Sequence, residues 1–401
     1  TAGESQFATY LQTHLGFRLF DILTGVHTGF RMEYYNLEFE APFTGSTPVP
    51  AEDSVRAISS TSLTCFTTKT VDRSEEELDD DPDLSAQKEI CDFGIPLEIY
   101  PSVSLDFEFF PRTKTRFIYS QTLVRPEMRE RAPTVFFDTE NSVEIVGNPK
   151  LEDTKIQHYD MRFDYDLTKG QYFSFSLFYK DFEKPIESFI DANAIPGIQR
   201  LQNAAGAKSY GFETEIDLKA NSLVLGEKVD RSFLKDISMY VNYAWIRSKV
   251  ELDTTAPGVS LLTSRNRPMI GQSPYLFNSK LTHEIELKGK NSILNSLLYN
   301  VVGPRIEFLG TDGNPDIYRD PFPSLDYIHR LKLGSHSISL KLKNLLYSQS
   351  ILRAEEFNHE LEYQTISNER RDELYKEVPR DIIMRTPVGM TVGLSYSYDF
   401  Q

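Results

Sequence analysis

The segment LEIYPSVSLDFEF, residues 97–109, alternates strictly between two kinds of side chain. The odd positions are apolar and hold Leu97, Ile99, Pro101, Val103, Leu105, Phe107 and Phe109. The even positions are polar and hold Glu98, Tyr100, Ser102, Ser104, Asp106 and Glu108. Because a period of two places successive side chains on opposite faces of a β-strand, the segment predicts a strand with one apolar and one polar face.

The same alternation recurs along almost the whole chain of 401 residues. It predicts about thirteen strands, near residues 5–19, 23–40, 95–109, 113–125, 154–167, 170–186, 205–219, 235–250, 273–288, 292–308, 322–334, 336–348 and 387–400. Short turns interleave with long loops near residues 41–94, 126–153, 251–272 and 349–386. Short turns on one rim and long loops on the other are typical of a transmembrane antiparallel β-barrel of the outer-membrane type.

Hydropathy agrees with strands and excludes membrane helices. The mean hydropathy is -0.39, and no stretch approaches the roughly 18–20 apolar residues that a spanning helix needs. A spanning strand needs only about 9–11 residues, of which every second one is apolar. The aromatic content of 12% suits interfacial girdles. A large soluble β-protein is the alternative, but it would bury its apolar face in a core and would not segregate loop lengths.

The strand number indicates an incomplete barrel. Single-chain bacterial barrels have an even number of strands, and an open sheet would leave two unpaired edges in lipid. We therefore expect residues 1–401 to be the C-terminal barrel segment of a larger barrel, and no signal peptide is visible at Thr1. The net charge of -16 argues against a nucleic-acid partner.

Several segments of the chain resemble blocks of TonB-dependent receptors. Three of them follow one another at family-like spacing: YSQTLVRPEMRERAP at residues 119–133, IVGNPKL at 145–151 and FYKDFEKPIE at 178–187. Barrel strands of the family are similar to YGFETEI at 210–216, YNVVG at 299–303 and LKNLL at 342–346. The resemblance covers roughly residues 5–400 and is specific as an ensemble of blocks.

This resemblance implies a 22-stranded barrel filled by an N-terminal plug domain, of which the chain would form the last thirteen strands. The plug, the first strands and the segment that contacts the energy-coupling protein would lie outside this chain. The implied function is energised uptake of a scarce nutrient, such as an iron chelate, cobalamin, an oligosaccharide or a peptide. The implied location is the bacterial outer membrane. The expected partners are membrane lipid, the plug and remaining strands, a TonB-type energy-coupling protein and a surface lipoprotein.

Other functions are weighed against transport. A non-transporting barrel that serves as a structural or docking subunit of a larger outer-membrane assembly is the main alternative. A passive porin fits poorly, because porin barrels are smaller and lack these blocks. The sequence has no nucleophile elbow, P-loop or dinucleotide fingerprint, so we expect neither an enzyme nor a cofactor.

Cys65 and Cys91 are the only cysteines, and both fall in the first long loop. In an oxidising exterior they predict a disulfide, which would stabilise the fold by roughly 3 kcal/mol on the loop-entropy model. A metal site is the alternative, but two thiolates without a nearby histidine make a poor one. The acidic run EEELDDDP at residues 75–82 lacks the ligand spacing of a calcium loop and is interpreted as solvated.

Four charged residues at the extracellular end of a predicted strand are candidates for contact with the plug or with solute: Arg125, Glu127, Arg129 and Glu130. They are equally interpreted as ion-paired wall residues. The final strand places aromatic side chains at Tyr396, Tyr398 and Phe400, which resemble a barrel-assembly signal or an interface girdle. The seven histidines show no pair at ligand spacing, so no metal site is predicted.

Overall fold

The computed structural model of the chain describes residues 2–42, 62–68, 88–132, 135–138, 143–168, 170–191, 198–220, 236–252, 262, 264, 266–310, 315–355 and 380–400. These residues form almost only β-structure. The strands are β1 (Ala2–Leu19), β2 (Ile22–Pro42), β3 (Ser62–Thr68), β4 (Lys88–Glu108), β5 (Thr113–Val124), β6 (Val135–Asp138), β7 (Val143–Val146), β8 (Thr154–Thr168), β9 (Gln171–Glu183), β10 (Ile186–Asp191), β11 (Ile198–Asn203), β12 (Gly206–Lys219), β13 (Ile237–Glu251), β14 (Tyr275–Glu286), β15 (Ser292–Val302), β16 (Arg305–Phe308), β17 (Asp316–Arg319), β18 (Phe322–Leu333), β19 (His336–Lys343), β20 (Gln349–Glu355), β21 (Arg380–Pro387) and β22 (Thr391–Tyr398). One helical turn, α1 (Met128–Arg131), follows β5.

Thirteen long strands form one continuous sheet. Its order is β1-β2-β4-β5-β8-β9-β12-β13-β14-β15-β18-β19-β22, and β3 pairs with the outer half of β4. Every neighbouring pair along this path is antiparallel. Within the residues described here, β1 and β22 each pair with one neighbour, so the sheet is open at both edges. No described helix is both long and apolar enough to cross a membrane.

Tight turns join the strands at one rim, which we call the short-turn rim. The β1–β2 hairpin turns through Phe20 and Asp21, both at positive φ (48° and 67°). Gly170, Gly289 and Gly334 take positive φ in three further turns on the same rim. Hairpin turns of this kind need left-handed backbone conformations, which glycine adopts without a steric cost. The turn residues thus fix the register of these hairpins from this rim.

Two small sheets lie at the opposite rim, which we call the long-loop rim. One has the order β10-β11-β7-β6 and the other has the order β16-β17-β20-β21. Their strands belong to the connections that follow β5, β9, β15 and β19, so all of them stand above the same ends of the long strands. Buried apolar side chains hold this rim together in two clusters: Leu262, Ile306, Leu309 and Tyr318 in one, and Ala204, Ala207 and Val250 in the other.

The structure confirms thirteen long antiparallel strands and corrects several details. The connections predicted as long loops contain strands: β3 and the first part of β4 within 41–94, β6 and β7 within 126–153, and β20 and nearly all of β21 within 349–386. The strand predicted at 292–308 is confirmed as β15, but its predicted end is wrong, because β15 ends at Val302 and β16 joins a different sheet. Gly303 packs against the Tyr275 ring, and Pro304 removes a backbone donor, so the ladder is interrupted here.

Candidate functional site

One face of the thirteen-strand sheet carries exposed aromatic and aliphatic side chains. Across β5, β8, β9 and β12 the register places Tyr119, Tyr159, Tyr179 and Tyr210 in one row. The ring centroids of Tyr119 and Tyr159 lie 5.2 Å apart, and those of Tyr159 and Tyr179 lie 6.1 Å apart. Near the last edge, Leu394 is 76% exposed. A continuous apolar surface with aromatic rows is typical of the lipid-facing wall of a membrane barrel.

The opposite face carries charged side chains that are paired across strands. Asp106 on β4 accepts hydrogen bonds or ion pairs from Lys114 at 2.9 Å and from Arg116 at 3.1 Å on β5. Arg162 on β8 donates to Asp164 at 2.8 Å and reaches Glu215 on β12 at 3.4 Å. A charge that loses part of its water needs such a partner to remain ionised. This polar face is therefore the inner wall of the barrel.

Charged residues on β2, β5 and the adjoining connection form a network at the long-loop rim, which we call the rim cluster. It consists of Arg31, Glu33, Tyr35, Arg125, Arg131 and Asp153. Glu33 accepts from Arg31 at 2.7 Å and from Arg125 at 3.2 Å, and its side chain is 6% exposed. The guanidinium of Arg125 lies 4.4 Å from the centre of the Tyr35 ring. Arg131 is buried and donates to Asp153, which also lies 3.6 Å from Nε of Arg125.

A cavity of about 640 Å³ opens on the polar face beside the rim cluster. Its walls come from β1, β2, β4 and β5, and its lining includes Gln6, Tyr10, Arg31, Tyr100 and Arg125. Small-molecule sites typically enclose about 300–1,000 Å³ and combine apolar bodies with a few placed polar groups. The cavity therefore has the size and chemistry to hold part of a solute or side chains from another segment.

The structure places the four charged residues that the sequence singles out in two different surroundings. Arg125 belongs to the rim cluster and contributes to the cavity wall. Glu127 and Glu130 form a capping box at the start of α1, and Glu127 pairs with Arg129 at 2.9 Å on an exposed surface. Their contact with a plug or with solute stays a prediction. Sequence reasoning did not single out Glu33, because its partner arrives from a strand that is distant in the chain.

A second charged network lies in the small sheet above β15 and β18. Glu307 on β16 accepts from Arg319 Nη2 at 2.8 Å and Nε at 3.0 Å, and from Arg305 at 3.4 Å. Burial favours the neutral carboxyl, but these guanidinium groups outweigh it and hold the pKa of Glu307 below its usual value. Nearby, burial raises the pKa of Asp316 on β17, although the Gly310 amide donates to its carboxylate at 2.9 Å.

Arg267 and Glu187 form a buried ion pair at the same rim. The side chain of Arg267 is fully buried and that of Glu187 is 5% exposed. Arg267 Nη2 donates to the Glu187 carboxylate, and Nη1 donates to the Pro268 carbonyl at 3.2 Å. The pair joins β10 to the connection between β13 and β14 and thus fixes two separate rim segments to each other.

The two cysteines lie opposite each other where β3 pairs with the outer half of β4. Cys65 on β3 is the direct antiparallel partner of Cys91 on β4. Directly opposed residues in such a pair have Cα atoms about 4.5–5.5 Å apart, which is within the range of disulfides. Both side chains lie outside the described residues, so the disulfide stays a prediction. The acidic run at residues 75–82 lies outside them as well.

The three terminal aromatics lie on or beside the apolar face of the last strand. Tyr396 and Tyr398 belong to β22, and Phe400 follows its end and is 91% exposed. The Tyr396 hydroxyl forms a hydrogen bond with His336 Nδ1 at 2.8 Å. The ring centroids of Tyr398 and Phe400 lie 4.8 Å apart. This placement fits an interface girdle, and the role in barrel assembly stays a prediction.

The structure brings two histidines together that the sequence interpretation left apart. His14 on β1 and His27 on β2 are direct cross-strand partners, and their rings stack with centroids 4.0 Å apart. Their contact arises from the β1–β2 register and not from a ligand-type spacing in the sequence. Within the part of the chain that is described, no group of three or more His, Cys, Asp or Glu side chains is arranged to hold a metal ion.

The two-faced sheet, the tight turns on one rim and the charged inner wall define the wall of an outer-membrane-type β-barrel. A family model for the TonB dependent receptor-like β-barrel matches residues 3–345. The chain therefore belongs to the TonB-dependent receptor family, as its sequence blocks indicate. No curated protein matches the chain.

Three solved structures with the same fold are described as receptors for ferric chelates. A variant of the ferric enterobactin receptor of Pseudomonas aeruginosa is 13% identical, with a TM-score of 0.52 over 100% of this chain and 55% of that one. The ferric yersiniabactin uptake receptor of Yersinia pestis is 14% identical, with a TM-score of 0.53 over 100% of this chain and 47% of that one. The ferric-catecholate import receptor Fiu of E. coli is 10% identical, with a TM-score of 0.54 over 87% of this chain and 42% of that one.

These similarities establish the fold and not the ligand, because the identities are 10–14%. The chain spans about half the length of the solved structures that it matches. The family and these structures are receptors and transporters, and none is described as an enzyme.

Proposed function

We propose that the chain forms the wall of an outer-membrane TonB-dependent receptor that takes up a scarce nutrient with energy supplied through a TonB-type protein. The observation that carries the proposal is the exposed apolar face of the thirteen-strand sheet, opposite an ion-paired polar face, in a chain of this family. An apolar surface of this extent is stable only against lipid or another apolar surface. The long-loop rim faces the exterior, and the short-turn rim faces the periplasm.

The rim cluster and its cavity are the part of the inner wall best suited to contact solute or plug. Arg31, Arg125 and Arg131 contribute three positive charges, whereas Glu33 and Asp153 contribute two negative ones, so the cluster carries about one net positive charge. This balance favours an anionic group at the cavity. A ferric chelate is the first ligand class to test, and cobalamin, an oligosaccharide and a peptide follow.

Uptake measurements test the proposal directly. The strain that lacks the intact protein is compared with the complemented strain for uptake of labelled ferric chelates and of the three other ligand classes, with and without a protonophore. We expect one ligand class to lose energy-dependent uptake in the deletion strain. Unchanged uptake of all four classes contradicts a transport function, and uptake that persists with the protonophore indicates a passive pore.

An Arg125→Ala variant tests the rim cluster separately from the transport function. Removal of the guanidinium leaves the Glu33 carboxylate with one arginine partner and opens the cavity wall. We expect weaker binding of the transported solute, with an increase in Kd of about ten- to one hundred-fold, because a charged hydrogen bond contributes roughly 1.5–3 kcal/mol. Arg129→Ala is the comparison outside the cavity, since Arg129 forms an ion pair with Glu127 on an exposed surface. Equal effects of both variants would refute a special role for the rim cluster.

A structural or docking role in a larger envelope assembly is the second candidate. The exposed edge strand β6 of the small sheet, with Val135 58% and Phe137 54% exposed, is the observation that favours it. If the protein is a docking subunit, the deletion strain should retain nutrient uptake. The components of the assembly should then no longer co-purify with one another. A surface lipoprotein is the partner to look for in such a complex.

A further inference from the structure

Three cationic side chains stand on the inner wall near the short-turn rim. Arg330 and Lys332 belong to β18 and Lys341 belongs to β19, and all three are exposed on the polar face. The alternate positions of the two strands, such as Leu331 and Leu340, lie on the lipid-facing side. Within the described part of the chain, none of the three cations forms an ion pair or a side-chain hydrogen bond. Their charge is therefore available to a ligand in the lumen.

The strand register gathers the three cations around Ser339. Arg330 is the direct antiparallel partner of Ser339, and Lys332 is one diagonal step away across the same pair of strands. Lys341 follows two residues after Ser339 on β19 and therefore shares its face. Directly opposed residues lie about 4.5–5.5 Å apart and diagonal ones about 7–8 Å apart, which is within the reach of long side chains. One small ligand above Ser339 can therefore contact all three cations.

Ser339 itself is a buried polar residue whose hydroxyl is unused. It is 6% exposed, and its Oγ has no hydrogen-bond partner among the residues that the structure describes. Buried hydroxyls in folded proteins are nearly always hydrogen-bonded, so an unpaired one indicates a missing partner. Ser395, its direct partner on β22, is exposed and adds a second hydroxyl. The row of Arg330, Ser339 and Ser395 thus presents hydrogen-bond donors across three strands.

The carboxylates nearby leave an excess of positive charge around Ser339. The polar face of β18, β19 and β22 carries four positive charges and one negative charge, at Arg330, Lys332, Lys341, Lys343 and Asp326. The Asp326 carboxylate accepts a hydrogen bond from the Asn344 amide at 2.9 Å. The next carboxylates on this face, those of Glu284 and Glu286, belong to β14, which is two strand spacings or about 10 Å from β18. This part of the wall therefore attracts anions.

We propose that the three cations and Ser339 form a binding site for an oxyanion, that is, for a carboxylate or phosphate group. Guanidinium, ammonium and hydroxyl groups all donate hydrogen bonds, and donors that carry a positive charge make the strongest bonds to such oxygens. The oxyanion belongs either to a solute in the lumen or to an acidic side chain of another segment of the receptor that packs against this wall. The site rests on the proposed function only in that the polar face lines the lumen.

Titration with free oxyanions tests whether a solute occupies this site. The intact receptor in a neutral detergent, at low ionic strength, is titrated with citrate and with inorganic phosphate by calorimetry. We expect saturable binding that Arg330→Gln and Lys341→Gln each weaken by roughly tenfold, because each substitution removes a charged hydrogen-bond donor. The control is Lys288→Gln, which removes a positive charge from an exposed turn of the same rim. The rim cluster also favours anions, so only binding that depends on Arg330 and Lys341 supports the site.

Cross-linking tests whether an acidic side chain of the receptor occupies the site. A carbodiimide joins a lysine amine to a carboxylate that it contacts, and mass spectrometry of the digested receptor identifies the two linked residues. If such a side chain fills the site, Lys332 and Lys341 should be linked to carboxylates of one segment that lies outside β14 to β22. Links from the exposed Lys288 give the background.

Either result supports the site and identifies the source of the oxyanion. The proposal is overturned if neither citrate nor phosphate binding depends on Arg330 and Lys341, and if Lys332 and Lys341 give only background links. Uptake is measured separately, so a transporting receptor without this site refutes the inference alone. A receptor that binds an oxyanion here but transports nothing refutes the proposed function alone. The heat-stable folded form on gels confirms folding of every variant.

Discussion

Removal of the negative charge of Glu187 provides the sharpest test of how the long-loop rim is held together. Glu187→Gln replaces the carboxylate by an amide of nearly equal volume, so no cavity is created. The fully buried guanidinium of Arg267 then retains a carbonyl acceptor but loses its counter-ion. Its other hydrogen bond to a described residue runs from Nη1 to the Pro268 carbonyl at 3.2 Å.

The magnitude follows from the burial of both partners. Breaking a buried ion pair typically costs about 3–5 kcal/mol, because the remaining charge is left in a poorly solvated place. The amide keeps one hydrogen bond, so we expect about 3 kcal/mol for Glu187→Gln. At 1.36 kcal/mol per tenfold change, this corresponds to an increase of about one hundred-fold in the population of the opened rim.

Hydrogen exchange of the protein in detergent measures this opening locally. The amide of Val250 donates to the Arg267 carbonyl at 3.2 Å, so its exchange reports on the connection that carries Arg267. Exchange in β10 reports on the other partner. The control is Glu251→Gln, which breaks an exposed ion pair with Lys208 of 2.7 Å and should leave the exchange nearly unchanged.

A double variant isolates the interaction from other effects of each substitution. Arg267→Met with Glu187→Leu removes both charges together, and buried ion pairs replaced by apolar residues of similar volume are often as stable as the original. The double variant should therefore exchange more slowly than Glu187→Gln alone. Equal effects of Glu187→Gln and the exposed control would refute the reasoning. So would free-energy changes of Arg267→Met and Glu187→Leu that are additive within about 0.5 kcal/mol.

Three further outcomes are expected. The pKa of Glu307 is held below its usual value. The contribution of its carboxylate to rim stability is therefore present above the usual pKa and is lost as the pH falls through the lowered pKa. Glu307→Gln should flatten the acid dependence of hydrogen exchange in β17. Leu177→Arg on the lipid-facing side should cost about 2–4 kcal/mol in urea refolding into bilayers, whereas Ser176→Arg on the inner wall should cost much less. Gly211→Ala would place a Cβ 2.0 Å from the Trp245 carbonyl, and we expect loss of the heat-stable folded form on gels; an unchanged form contradicts the close packing.

The long strands could be predicted from the sequence because apolar and polar residues alternate in each of them. Residues 97–108, for example, form the end of β4 and alternate without interruption. A lipid-facing wall demands an apolar residue at every second position over the whole span, so the signal is repeated in every strand. The count of thirteen was correct for this reason.

The rim sheets could not be predicted because their strands are short. β6 and β16 have four residues each, which is too few for alternation to be distinguished from chance. Apolar residues stand on both sides of Gly303 and Pro304, so β15 and β16 were predicted as one strand. Their separation depends on contacts with β17 and with the Tyr275 ring, which come from other parts of the chain.

The contacts at the candidate sites could likewise be predicted from the sequence only where a short turn sets the register of the paired strands. The two-residue turn at Phe20 and Asp21 pairs every residue of β1 with the residue whose number completes a sum of 41, so the contact of His14 with His27 was implied by the turn alone. The approach of Asp106 to His27 was not, because β2 and β4 are joined by a long connection and their register shifts at Glu33. The rim cluster depends on the same unpredictable register, since it joins Glu33 of β2 to Arg125 beyond β5. In a protein of this kind, contacts across the short-turn hairpins are therefore readable from sequence, whereas contacts that depend on the long-loop rim require the structure.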